Sequence, residues 1–131
     1  MNPKMLFTFN AVVCFLFSVP LMLVPQMIME IYLVDKTNVD PAAFVLSRGY
    51  GSLMFGLAIA LWTAKDAGPS VARRSILYMI AVANALLTVV HIYSYSIGAE
   101  NSMALTIVAL GVVLGGWAGM LLAKESGLKL A

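Results

Sequence analysis

The chain is short of charge. Of its 131 residues only 11% are Asp, Glu, Lys or Arg, against about a quarter in an ordinary soluble domain. With 62% of residues hydrophobic, a soluble core of this size cannot bury so much apolar side chain, and the bilayer is the expected solvent. The formal charge of +2, with no basic cluster and no aromatic-basic interleaving, gives no footprint for nucleic acid. The single cysteine, Cys14, excludes an internal disulfide and any multi-cysteine metal site. The single histidine, His91, is too few for a metal site within one chain. HExxH, GxSxG, a Walker loop, CxxC and paired intramembrane carboxylates are all missing, so hydrolysis, nucleotide use and thiol redox chemistry lack their signals. The protein is expected not to be an enzyme, and no cofactor is required by any motif.

What is there is a set of long apolar runs. The sequence predicts an all-α polytopic membrane protein, a four-transmembrane-helix bundle in one membrane domain spanning 1–131. Its helices fall at about 5–24, 41–64, 71–95 and 103–123, each near the ~20 residues that cross a hydrocarbon core of about 30 Å. The first run is expected to remain as a membrane helix, because Pro20 and Pro25 stand where a small-residue cleavage site would be needed. Pro20 is expected to kink it. Within it Asn10, Cys14 and Ser18 recur every four residues as a weakly polar face. Residues 26–34 carry apolar side chains at near-helical spacing and are expected to lie flat in the interface as a short amphipathic helix. Asn38 or Asp40 can cap the next helix with Pro41 in its first turn, and Ser70 can cap the one after Gly68-Pro69. The stretch after 123 reads as a short polar tail.

Lysine and arginine fix the expected orientation. Lys4, the connection with Lys65, Arg73 and Arg74, and the tail with Lys124 and Lys129 all fall on one side. Glu30, Asp35, Asp40 and Glu100 dominate the other, with Lys36 as the sole cation there. Both termini are therefore expected in the cytoplasm, in the inner membrane of a bacterium. Tyr32, Tyr93 and Tyr95 then join an outer aromatic belt, and Trp62 and Trp117 an inner one.

The most informative stretch is PAAFVLSRGYGSLMFGLAIALWTA, 41–64. Arg48, Ser52, Gly56 and Ala60 recur every four residues as a small, polar face, with Ser47 and Gly51 beside it. Small faces pack closely in membranes, so Arg48 is expected to point into the bundle or toward water. At about 1.5 Å per residue it sits about 10 Å into the helix, in the outer leaflet. Charge at bilayer depth costs at least about 2.5–3.5 kcal/mol near the centre, which makes Arg48 a candidate anion or polar-ligand site. The plainer account is an arginine that snorkels or bonds carbonyls and fixes its helix. Asn84, Thr88 and His91 share one face of the third long helix. His91 falls at a depth comparable with Arg48, so the two are expected to face each other, with Asn84 and Thr88 lining a path below. An interfacial histidine bonded to a neighbour is again the plainer account. Gly111, Gly115 and Gly119 make a GxxxGxxxG row, a signal for close helix approach in this bundle or a second copy. Asn10 and Asn84 are expected to glue helices together, Glu30 and Glu100 to be solvated and within reach of Arg48. The nine methionines are scattered and read as flexible packing.

Small multidrug transporters carry a glutamate in their first helix and fluoride channels a Gly-rich arginine motif there; neither is present. The arrangement of LMLVPQMIMEIYLV, DPAAFVLSRGYGSLMFGLAIALWTA, ARRSILYMIAVANALLTVV and a Gly-rich last helix resembles small bacterial four-helix membrane proteins, the DoxX-like and related groups of unknown function. The resemblance covers most of the chain. It implies a bundle and an accessory role beside a larger membrane system, and supplies no catalytic residue. The leading expectation is thus a small integral membrane accessory or interaction subunit, packing against itself or a larger complex through Ser52, Gly56 and the helix-4 glycines. A small-ligand or anion-binding transporter with an outward-facing site at Arg48 and His91 is the second. A haem- or quinone-associated redox subunit using His91 is the third.

Overall fold

The computed structural model describes residues 2–36 and 39–127. They form five helices: α1 (Pro3–Leu23), α2 (Pro25–Tyr32), α3 (Pro41–Ala64), α4 (Val71–Ser96) and α5 (Ala104–Gly127). All but α2 are long and apolar enough to cross a membrane, so the protein is an integral membrane protein by length and composition.

The boundaries follow from local chemistry. The Asn2 side chain accepts from Lys4 N at 2.9 Å with Pro3 behind it, which supplies one acceptor to the orphan donors of α1's first turn. At the other end Pro25 has no N–H to donate and disfavours helical backbone at Val24. The chain breaks there and restarts at once, with Pro25 opening α2. Asp40 caps α3 by accepting from Ala42 N at 2.8 Å; Asn38, the other candidate, lies outside the described residues. The Ser70 hydroxyl accepts from Arg73 N at 3.2 Å and caps α4. α5 runs to Gly127, past the expected end at 123. The residues read as a polar tail continue the helix because each finds a partner there. Glu125 pairs with Arg73, Ser126 donates to Leu122 O at 2.9 Å, and the cation Lys124 complements the carbonyl end of the dipole.

The long helices alternate in direction and associate as two pairs. α1 packs along α3, and α4 along α5; the pairs meet mainly through α1 and α5, and α3 and α4 barely touch. Close approach within a pair is made by glycine. A Cβ on Gly51 would lie 2.8 Å from Met22 Cγ and 3.0 Å from Ser18 O, so α3 rides on the backbone of α1. A Cβ on Gly111 would lie 2.4 Å from Thr88 Oγ1 and 3.1 Å from Asn84 O, so α5 rides on α4 in the same way.

The core sits at one end. Leu6 and Phe7 of α1, Leu61 of α3, Leu77 and Ile80 of α4, and Ala118 of α5 are buried there. Two ion pairs mark the same end. Lys4 meets Asp66 at 2.6 Å, and its hydrogen bond holds the Asp66 carboxyl below the ordinary value. Arg73 meets Glu125. At the opposite end the two pairs are tied by backbone: Leu33 and Glu100 form an isolated antiparallel bridge, Val34 N donates to Ala99 O at 3.2 Å, and Asn101 N to Tyr32 O at 2.8 Å.

Candidate ligand cleft

Between the closed core and the backbone tie the two helix pairs part. The gap is a cleft of about 790 Å3 lined by all five helices and strongly apolar. α2 covers its tied end. The sequence predicts an interfacial helix here, and the structure turns Ile28, Met29 and Tyr32 of that helix onto the cleft. The side opening lies between α3 and α4, where the lining residues Leu46 and Leu53 are each 74% exposed and Leu86 62%. In a bilayer those side chains face acyl chains, so the cleft communicates sideways with lipid. A smaller hollow of about 190 Å3 beside Gln26, Glu30 and Lys36 is the more polar of the two.

Few polar groups reach the cleft, and most are already used. Asn10 and Cys14 lie four residues apart on α1, and the Cys14 thiol bonds Asn10 Oδ1 at 3.5 Å. Their face, with Ser18, is buried, and the bonds donated by the Cys14 thiol and by the Ser18 hydroxyl, to Phe15 O at 2.8 Å, stay within α1. Ser47 Oγ reaches Leu21 O at 3.5 Å across the α1–α3 seam. The Asn84 amide donates to Ile80 O at 2.8 Å. The exception is the tied end. There His91 Nδ1 and Glu100 Oε2 lie 2.8 Å apart, at 14% and 15% exposure, and both side chains line the cleft. The backbone bridge at Leu33 and Glu100 fixes the loop that carries the carboxylate. His91 Nε2 and the Tyr32 and Tyr50 hydroxyls have no hydrogen-bond partner among the described residues.

The expected site residues are thus only partly brought together. Arg48 is exposed on the outer face of α3, outside the cleft, and does not face His91. Glu100 is neither solvated nor paired with Arg48; it belongs to His91. Thr88 donates to Asn84 O at 2.8 Å and, with Asn84, forms the seat of Gly111 and Gly115. These two side chains therefore build the α4–α5 seam instead of a polar path, though Asn84 also touches the cleft. The face of α3 that packs is the neighbouring one, Ser47, Gly51, Ala58 and Leu61. Ser52 and Gly56 are exposed, and nothing lies within 4 Å of a Cβ placed on Gly56. Gly119 is likewise open, so among the described residues only the first two glycines of the α5 row meet a neighbouring helix. The row that packs is the uncharged neighbour, and Arg48, near the N-terminal end of α3, keeps on the surface a long side chain that can reach toward the headgroups.

The His91–Glu100 pair is hidden in the sequence because the two sit on either side of a turn, nine residues apart. Helical spacing links residues three or four apart, and says nothing about a loop that folds back on the helix it leaves. Residues 8–126 match the model of a family described as Domain of unknown function (DUF8292). No curated protein matches the chain, and no solved structure does.

Proposed function

The chain belongs to the DUF8292 family, and we propose that it works as a membrane-embedded binder of a small hydrophobic or amphiphilic molecule taken up sideways from the bilayer between α3 and α4. The observation that carries this reading is the cleft. Its volume of about 790 Å3 falls in the range of about 300–1,000 Å3 typical of small-molecule sites. It is apolar along most of its length and carries the His91–Glu100 pair at one end only, the profile of a molecule with one head and one tail. It is capped at both ends and open at the side, which favours a single small occupant over a through-going helix.

The expected setting is a single domain in a bacterial inner membrane with both termini cytoplasmic. The His91–Glu100 end then lies toward the outer surface. The second reading is the accessory role implied by the likeness to DoxX-like groups. It is favoured by the open face of α3, where Arg48, Ser52 and Gly56 stand exposed and additional Cβ atoms at Gly49 and Gly56 would touch nothing. That face is suited to a second copy or a larger membrane complex, because small residues let backbones approach. For a haem held by two histidines, the second would have to come from another chain, since His91 is the single histidine.

Ala83 lines the cleft on α4 and is itself exposed. Ala83→Trp is expected to fill the opening while leaving the core end untouched. In native mass spectra of protein extracted gently from membranes, the wild type retains a small amphiphile and the variant loses at least about nine-tenths of it, as an indole of about 150–250 Å2 displaces the occupant. An unchanged adduct in Ala83→Trp would overturn the cleft reading. The same spectra report the second reading, which requires a dimer or a co-purifying membrane protein.

A further inference from the structure

The polar end of the cleft carries a definite preference of sign. Its described lining contains Glu100 and His91 but no lysine and no arginine. Arg48, the only charged residue in the interior of α3, faces away from it. The Glu100 carboxylate takes up His91 Nδ1, which for a neutral ring fixes the tautomer with its proton on Nδ1 and leaves Nε2 as an acceptor. The carboxylate itself keeps a second oxygen. Every group presented by this pair in that state accepts; none is a cation. The hydroxyls of Tyr32 and Tyr50 can adapt to either role.

We infer that the ligand is a long-chain amphiphile whose head donates hydrogen bonds, a hydroxyl, phenol or protonated amine, with its tail lying along the apolar cleft toward Leu57 and Leu114. This deepens the reading of the cleft as a lipophile site and rests on it. A fatty acid or a phosphate-bearing lipid would place its anion against Glu100 with no lysine or arginine in the described lining to compensate it, and is disfavoured. A donor head meets an oriented carboxylate–imidazole pair instead, and hydrogen bonds to charged groups are the stronger kind. The tail lies along a lining that is mostly carbon, in which the Asn10 carbonyl, the Cys14 thiol, the Ser47 hydroxyl and the Asn84 amide N–H are already bonded within the protein.

Three probes with one hexadecyl chain separate head from tail: the primary alcohol, the primary amine and the carboxylic acid. They are competed at equal concentration on the detergent-solubilised protein near neutral pH and read by native mass spectrometry. The alcohol and the amine are expected to bind at least about tenfold better than the acid, the factor carried by about 1.4 kcal/mol. In Glu100→Gln the order is expected to collapse to within about threefold, and continued binding of the acid reports that the variant is folded. In Ala83→Trp all three are expected to be lost. If the acid binds wild type as well as the alcohol does, or if Glu100→Gln keeps the order, the head inference fails and the cleft reading stands. If none of the chains binds wild type, the cleft reading fails with it.

Discussion

Gly111→Leu is expected to force α5 away from α4 and to lower stability by about 3 kcal/mol, the upper end of what overpacking costs. A Cβ at this position would already lie 2.4 Å from Thr88 Oγ1 and 3.1 Å from Asn84 O. Thr88 cannot simply turn away, because its hydroxyl is bonded to that same carbonyl at 2.8 Å, and the carbonyl belongs to the helix backbone. In lipid no water is expelled when helices meet, so close packing is itself the main source of association. Losing it at the seam removes most of what joins the two helices over this turn. Gly116→Leu is the control: nothing lies within 4 Å of a Cβ there, and its expected effect is under about 0.5 kcal/mol, as for a surface change. Unfolding in detergent, followed by circular dichroism, compares the two. Equal losses at Gly111 and Gly116 would show that α4 and α5 are not seated as described.

That contrast also measures how far the residues alone disclose the structure. The four long helices and the caps of α3 and α4 are legible because apolar run length, proline and a capping oxygen act locally. The pairing of helices is half legible: GxxxGxxxG announces a close approach, but its spacing does not say that Gly111 and Gly115 seat on Asn84 while Gly119 stays open. The same limit applies to α3. Rows beginning at Ser47 and Arg48 both contain small residues, and a one-residue rotation of the helix exchanges them. Which of them packs is settled by the fit of α3 on α1 at Gly51, and that is a property of the bundle rather than of the helix. The cleft is not legible at all. It arises because two well-seated pairs share only a short core and a backbone bridge, so the space between them is left over from packing that is satisfied elsewhere. Its polar end depends on the loop after α4, whose turn through Gly98 at a φ of 73° brings Glu100 back to His91.

Removing Glu125 is expected to loosen the closed end on which the cleft depends. Arg73 at the start of α4 and Glu125 near the end of α5 are 12% and 13% exposed, and Arg73 also donates from Nη1 to Ala67 O at 3.3 Å. Breaking a buried pair by deleting one partner costs about 3–5 kcal/mol, chiefly because the other charge is left unpaired. Here the pair sits at the helix ends with some exposure and a remaining carbonyl, so Glu125→Ala is expected to cost about 2 kcal/mol. Most of that loss comes from the stranded guanidinium charge and little from the missing contact. Hence Arg73→Met combined with Glu125→Leu is expected to recover more than half of the loss, since apolar residues of similar volume replace buried pairs with little penalty. Denaturant titration of the single and double variants in one detergent checks this. A double variant no more stable than Glu125→Ala would show that the pair holds α4 to α5 through its geometry. Because α4 and α5 wall the cleft together, the single variant is also expected to bind the hexadecyl alcohol several-fold more weakly, whereas the double variant binds it nearly as wild type does. The core and the cleft are then coupled through the Arg73–Glu125 contact at the far end of the α4–α5 pair.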